Sequence, residues 1–493
     1  MLGKWRTHEV YQRSLLETLT IIKRNNAELF TDIALQEAIQ KVCLMNLDTV
    51  KEDFFQLFSH TGRPSNYQPE LFRSYILMTH FRYFSIDKWH DHAASHLEIC
   101  AMIGVTPDNL PGASTMRDFI TRLWLTDEPN HIRLAEKKPT TKYGKDKKPP
   151  KRPGIVSEMV GEALNGKVFG DIPESLLQTI FNKIAVFPSA GLSLLGDTNN
   201  LFTSGDGTCV LSHASPYGHK ICNCIGMCSC ERRFADPIAG WGWDSYHEKY
   251  FFGYSAYILS VHNPSLHIDL PIYMRFESAG QHDSVSLISS LAHARSLFSC
   301  HFKIKGLLAD SAHDNYPTYD LLNQWGIAPF IDLNGRRSDL KPQSDYIQFS
   351  DNGVPICTRG TEMTNWGYDH KKRRIKYRCP EAAGSICSCE FSDICNNTEY
   401  GKIVYVRTIE NLRLFTPVPR GSIQWKQTYK QRTAAERVNT RMLTDYYLEP
   451  PKRYGLKKLC FFAFTNLINI HLDVQIKSDD TSFQTPRAWK EAC

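Results

Sequence analysis

Three acidic residues stand where a folded backbone could gather them. Asp206 lies in Gly205-Asp206-Gly207-Thr208, Asp310 ends the apolar run Gly306-Leu307-Leu308-Ala309, and Glu436 closes the pattern Tyr429-x2-Arg432-x3-Glu436. Carboxylate oxygens are the ligands that hard divalent cations prefer. In open sheets, sites collect beyond the carboxyl ends of strands, where Asp310 falls. Glycines flanking Asp206 admit close approach of backbone or ligand. On a helix, Tyr429, Arg432 and Glu436 share an arc of about 60°. Taken singly, a strand-end aspartate is a turn former or helix cap, and an Arg–Glu pair is a surface salt bridge. Taken together, they form what a site needs to hold metal and phosphate.

Thiols and basic residues form the other concentrations. Four of the 15 cysteines lie at Cys222, Cys224, Cys228 and Cys230, and four more at Cys379, Cys387, Cys389 and Cys395. Four thiolates can close a tetrahedral Zn2+ site. The C-x-C steps are tighter than a C-x2-C knuckle, and free thiols in inserted loops are the alternative. Residues 137–152 carry eight Lys or Arg against Asp146 alone. A second block has Lys371, Lys372, Arg373, Arg374, Lys376 and Arg378 without an acid. Such blocks seek phosphates, or serve as solvated linkers and faces.

The elements that must position these groups can be read from periodicity and punctuation. Residues 1–40 read as peripheral helix and 41–135 as a helical domain, in which Ser114 and Thr115 would cap a helix reaching residue 123. A Pro/Lys/Gly linker follows over 136–155, then further helix to residue 190. From residue 191 the pattern turns to strands: 201–211, 250–261 and 270–277, the last two joined across Asn263-Pro264. A helix over 284–298, a strand over 302–309, a helix over 316–325 and a strand over 327–332 complete a β-β-β-α-β-α-β order. That order predicts a mixed sheet with helices packed on it. Residues 335–420 interrupt the rhythm, and helices resume at 425–447 and 456–472.

At this point the residues resemble a family. Asp206, Asp310 and Glu436 are similar to the acidic triad of DDE transposases of bacterial insertion sequences, on the RNase H-like fold. Asp236-Pro-Ile-Ala-Gly-Trp-Gly-Trp243 resembles the segment after the first aspartate, Ala279-Gly-Gln-His-Asp283 the turn before the sheet-covering helix, and Ala309-Asp-Ser-Ala-His-Asp314 the second aspartate box. Tyr429, Arg432 and Glu436 match the Tyr-Arg-Glu part of a Tyr-Arg-Glu-Lys signature, whose lysine would fall on Leu443.

The resemblance implies an α/β fold: an RNase H-like mixed sheet flanked by helices, with a helical N-terminal domain and a Cys-rich insertion. It assigns residues 1–135 to DNA-end binding, 136–155 to a basic linker, and 156–334 and 421–475 to the catalytic core. Residues 335–420 become an inserted subdomain and 476–493 a tail. The implied function is cut-and-paste transposition: hydrolysis and strand transfer at terminal inverted repeats, with Mg2+ or Mn2+ on the triad. Two such ions about 3.5–4 Å apart can serve the attacking and leaving oxygens. Tyr429, Arg432, Lys371, Lys372, Arg373 and Arg374 are the implied DNA contacts. The implied partners are double-stranded DNA, as transposon ends and target, and a second copy of the chain on paired ends. The implied setting is the bacterial cytoplasm. Alternatives are a DDE-fold DNA-binding protein without catalysis and a metal-dependent nuclease or phosphodiesterase.

Composition agrees with a globular chain: 493 residues, 42% hydrophobic and 22% charged, with a net charge of +6. Global disorder is excluded. So small a net charge does not by itself specify nucleic acid. Apolar runs fall short of the ~18 residues of a membrane span, and the longest, 459–470, is interrupted by Thr465, Asn466 and Asn469. The first twenty residues lack the apolar stretch of a secretory signal. Weaker signals are Gly161-Glu-Ala-Leu-Asn-Gly166-Lys167-Val168, where Val168 stands in place of a P-loop hydroxyl, and His282-Asp283 with His313-Asp314, which suggest a histidine-metal phosphoesterase.

Overall fold

The computed structural model describes residues 1–127, 129–139, 154–245, 247–335, 347–385, 389–390, 395, 398–449 and 452–478. Most of the basic linker (140–153), Cys387 and the tail from residue 479 lie outside the described residues.

A six-stranded mixed sheet organises the molecule. Its strands are β1 (Leu201–Leu211), β2 (Gly240–Asp244), β3 (Lys249–Asn263), β4 (Ile268–Ser278), β5 (Ile304–Ala309) and β6 (Ala328–Ile331). β3 pairs antiparallel with β1 on one side. On its other side β2 and β4 follow each other end to end, both antiparallel. β5 then pairs parallel with β1, and β6 parallel with β5. Chain order and sheet order thus agree with the mixed α/β class expected from the sequence, and β2 is the one strand of this sheet that patterning missed.

Local chemistry explains the elements. β3 is aromatic and β-branched and is buried almost throughout, because helices cover both faces of the sheet. At the β3–β4 turn, the Asn263 Oδ1 accepts from the backbone N–H of Ser265 (3.1 Å) and Leu266 (3.3 Å), an Asx arrangement that reverses the chain. The covering helix Asp283–Leu297 starts one residue earlier than patterning suggests. His282 is its cap, with Nδ1 accepting from the Ser284 N–H at 3.2 Å. Capping fails in the other direction at the helix Ala113–Arg122: Gly112 precedes it, and neither Ser114 nor Thr115 caps it.

The helical N-terminal region is not peripheral. Tyr11, Leu15 and Leu19 from the first helix (His8–Asn25) join a single hydrophobic core that also takes in the sheet and the helix Leu456–Ile476. This last helix is long and apolar enough by composition to cross a membrane, yet 83% of its most apolar stretch is buried. It is the axis of the core. Tyr75 packs edge-on to Phe461 at 4.7 Å, and Lys41 pairs with Asp473 at 2.7 Å. Within the insertion, strands Thr364–Asp369, Arg374–Arg378 and Ile403–Arg407 form a separate meander over its own small core of Ile375, Tyr377, Val404, Val406 and Phe415.

Candidate active site

Strand pairing sets the first contact. Ser204 of β1 lies opposite Leu308 of β5 in the parallel pair. Two residues further along each strand, Asp206 and Asp310 therefore lie level on neighbouring strands. The helix Thr433–Thr440 crosses β1, β3 and β4 and carries Glu436. Asp206 feels the charges of Asp283, Asp310 and Glu436. Burial first, and then those three carboxylates, push its acid up to about 7. The structure thus brings together the three residues singled out in the sequence and adds Asp283. That residue stands at the start of the covering helix, and the sequence reads it as a helix start and as half of the weaker His282-Asp283 signal. Gly207 makes room for it, since any side chain at that position would collide with the Asp283 carboxylate. Burial is also the leading cause that raises Asp283.

Each carboxylate is held by a different kind of neighbour. Asp310 bonds His313 Nδ1 at 2.7 Å and accepts from the Ala312 N–H at 3.1 Å. The other His313 nitrogen meets the Tyr257 hydroxyl at 3.0 Å. Burial alone would raise Asp310, but His313, the Ala312 N–H and Arg432 outweigh it and hold the acid below its ordinary value. Glu436 pairs with Arg432 at 2.7 Å, whose guanidinium lies 5.9 Å from the centre of the Tyr429 ring. Tyr429 in turn stacks on Trp425 at 4.5 Å. Asp206 accepts from the neutral Asn439 amide at 3.1 Å. The site opens into a cleft of about 1000 Å3, with Trp241 and Trp243 on one wall and Leu443 on another. Leu443, where the resemblance calls for lysine, presents an aliphatic surface there.

His313 and Asp314 are consumed by the fold. Both are buried. Asp314 receives Arg413 in a two-pronged ion pair at 2.7–3.0 Å, and also bonds the Tyr319 hydroxyl at 3.0 Å and the Asn334 N–H at 2.8 Å. A phosphoesterase built on His313 and Asp314 as metal ligands has no donors left there.

The donor set suits a hard divalent cation. Four carboxylates from two strands and two helices converge, and the most buried of them is destabilised by its like-charged neighbours. A cation would remove that repulsion. The carboxylates are not drawn tight: among the described residues, only the cysteine set below has three or more ligand atoms all within 4.8 Å of one another.

The chain matches no protein-family model and no curated protein. Among solved structures it is similar to a piggyBac transposase synaptic complex with hairpin DNA. The TM-score is 0.36 and the identity 10%, over 94% of this chain and 78% of that one.

The cysteines divide differently from expectation. Cys222, Cys224, Cys228 and Cys230 form the compact set. Cys379, Cys389 and Cys395 instead line a pocket of about 290 Å3 together with Cys357, which the sequence reading did not include. Among the basic residues, Lys371, Lys372 and Arg373 are exposed on the turn of a hairpin. Arg374 is half-buried over the Tyr405 ring at 3.9 Å, and Arg378 is buried between Trp366 and Tyr400. Packing therefore claims two members of that block.

Proposed function

We propose that this chain is a DDE-type transposase that cleaves and rejoins DNA phosphodiesters with a divalent metal, Mg2+ or Mn2+. The observation that carries the reading is that Asp310 and Glu436 both act electrostatically on Asp206 at one end of a mixed sheet, with Asp206 and Glu436 lining a cleft of about 1000 Å3. The strand order, with β1 between antiparallel β3 and parallel β5, supports the RNase H-like assignment.

Asp206, Asp310 and Glu436 would hold the metal, with Asp283 beside them. When bound, it supplies positive charge opposite the attacking and leaving oxygens. The protein's own contribution is orientation. His313 fixes Asp310, Asn439 fixes Asp206, and Arg432 holds Glu436 with a guanidinium that would also meet a phosphate oxygen beside it. Such forks suit phosphate oxygens. Water attacks the scissile phosphorus first, and the released 3′-hydroxyl then attacks target DNA, with no covalent link to the protein. A second copy of the chain would hold the paired end.

The test incubates purified protein and Mg2+ with duplexes carrying the sequences that flank its gene. Cleavage at a repeat boundary followed by joining to a target plasmid supports the reading. Cleavage without joining means a nuclease, and binding with neither means a DNA-binding derivative.

A further inference from the structure

Between β1 and β2 the chain makes an excursion that has no core of its own. Two-residue strands His219–Lys220 and Arg232–Arg233 pair antiparallel at its base. Between them runs Ile221-Cys222-Asn223-Cys224-Ile225-Gly226-Met227-Cys228-Ser229-Cys230-Glu231 without regular structure. The two large apolar side chains at its tip, Ile225 and Met227, are fully exposed, at 103% and 102% of their reference areas. Hydrophobic burial thus cannot fix this loop.

Its four sulfurs are nonetheless gathered, within 4.8 Å of one another. Cys222 and Cys228 are 3.5 Å apart, and Cys224 and Cys230 are 3.7 Å apart. Both separations exceed a disulfide bond, which is about 2.05 Å. They are close to the edge of a tetrahedron with Zn–S bonds of about 2.3 Å, which is roughly 3.8 Å. The Lys220 ammonium donates to the backbone carbonyls of Cys224 and Gly226, so a cationic side chain lies beside what four thiolates and one Zn2+ would make a dianionic centre.

We propose that Cys222, Cys224, Cys228 and Cys230 form a closed structural zinc site that holds this hairpin in shape. Four protein ligands leave no position for water or substrate, so the site is not catalytic. Binding releases a proton from each thiol and ties the loop by coordination instead of burial. The hairpin it fixes carries a further strand, Ile132–Arg133, which pairs with Arg232–Arg233. Arg133 lies 4.3 Å from the centre of the Phe234 ring and donates to the Ala239 carbonyl at 2.9 Å. The excursion is anchored below by buried Asp236, which accepts from the Ser212 hydroxyl (2.6 Å), the Gly455 N–H (2.9 Å) and the Tyr254 hydroxyl. The zinc thus secures the point from which the basic run 137–152 departs. This inference does not depend on the transposase reading.

The test measures metal content of the full-length protein purified under reducing conditions with zinc present. The Cys222→Ser/Cys228→Ser variant should hold about one equivalent less zinc than the unaltered chain; taking the difference cancels any metal on the cysteines of the insertion. Cobalt replacement should give the thiolate charge-transfer and tetrahedral d–d bands, diminished in the double variant. Cys230→His should keep the metal and shift those bands, which decides the matter even if the double variant does not fold. Equal zinc in both proteins, cobalt bands unmoved by Cys230→His, or disulfides joining these cysteines in freshly purified protein would each overturn the site.

Discussion

Asp206 lies on β1 and Asp314 a turn beyond the end of neighbouring β5, yet their surroundings are opposite. Asp314 is buried against the Arg413 guanidinium, with Tyr319 and the Asn334 N–H taking up its remaining oxygen capacity. Every lone pair has a donor, and the charge is cancelled where it sits. Asp206 is also largely withdrawn from water, but there the like charges of Asp283, Asp310 and Glu436 outweigh the opposing pull of His313. One environment is finished. The other is electrostatically incomplete and becomes favourable only when a cation enters. That contrast separates a structural carboxylate from the one we propose holds metal, and no reading of residue type could.

The comparison breaks most sharply in kinetics. Asp206→Ala and Asp310→Ala should each lower single-turnover DNA cleavage by about a thousandfold or more, the loss of roughly 4 kcal/mol of transition-state stabilisation. Duplex affinity should stay within a few fold. Cleavage near the normal rate in either variant would remove that residue from the site.

On the structural side, Arg413→Met strands a buried charge. The expected loss in urea-induced unfolding is about 3–5 kcal/mol. Adding Asp314→Leu to the same chain should recover much of it, because the unpaired charge is then gone. Asp206→Asn should by contrast leave the metal-free protein as stable as before or more so. If Arg413→Met and Asp206→Asn destabilise equally, the distinction drawn between the two carboxylates is wrong.

Acidity sharpens the same point. Asp206 titrates near 7 in the fold and in the ordinary carboxylate range when unfolded. Its contribution to metal-free stability is therefore full at acid pH and is lost as pH rises through about 7. Metal needs the ionised form, so cleavage should rise across the same interval, with a midpoint that moves down as Mg2+ increases. Asp283→Asn removes one of the like charges and should lower that midpoint by less than about one pH unit. A rate profile flat between pH 6 and 8, in roughly the range where such a group titrates, would contradict it.

The smallest expected effect concerns the exposed hairpin turn. Replacing Lys371, Lys372 and Arg373 with alanine should weaken specific and random duplexes alike. The slope of log K against log salt should flatten by roughly 0.9 for each real phosphate contact. Arg374→Ala should act instead through stability, since its guanidinium is spent on Tyr405 and Asp369. An unchanged slope would make the turn a solvated face.

How much of this was legible in the sequence differs by the range of the interactions. Strands such as 201–211 and the helix 316–325 are written locally, in β-branched runs, Pro and Gly, and the structure has them at the same bounds. Asp206 and Asp310 could be singled out because strand ends and flanking glycines are local signals too. Asp283 could not be joined to them, because its place beside Asp206 depends on the missing side chain of Gly207, distant in sequence. Cys357 was out of reach for the same reason, because it joins the pocket of Cys379, Cys389 and Cys395 through tertiary folding, whereas the compact set lies within nine consecutive residues. The first helix reads as peripheral because the surface it covers, the helix Leu97–Ile103, lies some ninety residues on, where the Tyr11 hydroxyl reaches the Met102 carbonyl; the helices Ile33–Leu44 and Gln68–His80 pack in turn on Leu456–Ile476, at the other extreme of the described chain.

That long-range partnership governs how the protein must be made. The hydroxyls of Thr79 and Thr465 meet at 3.2 Å, and the Lys41 ammonium reaches the Asn469 side chain at 3.0 Å. At about 5–20 residues per second on the ribosome, the N-terminal helices emerge tens of seconds before the segment that completes their core. During that interval their apolar faces are uncovered, and they depend on chaperones or on their own secondary structure to stay soluble. A gene copy cut short before residue 456 would release a product that never closes its core. Such fragments are substrates for proteolysis rather than competitors for DNA.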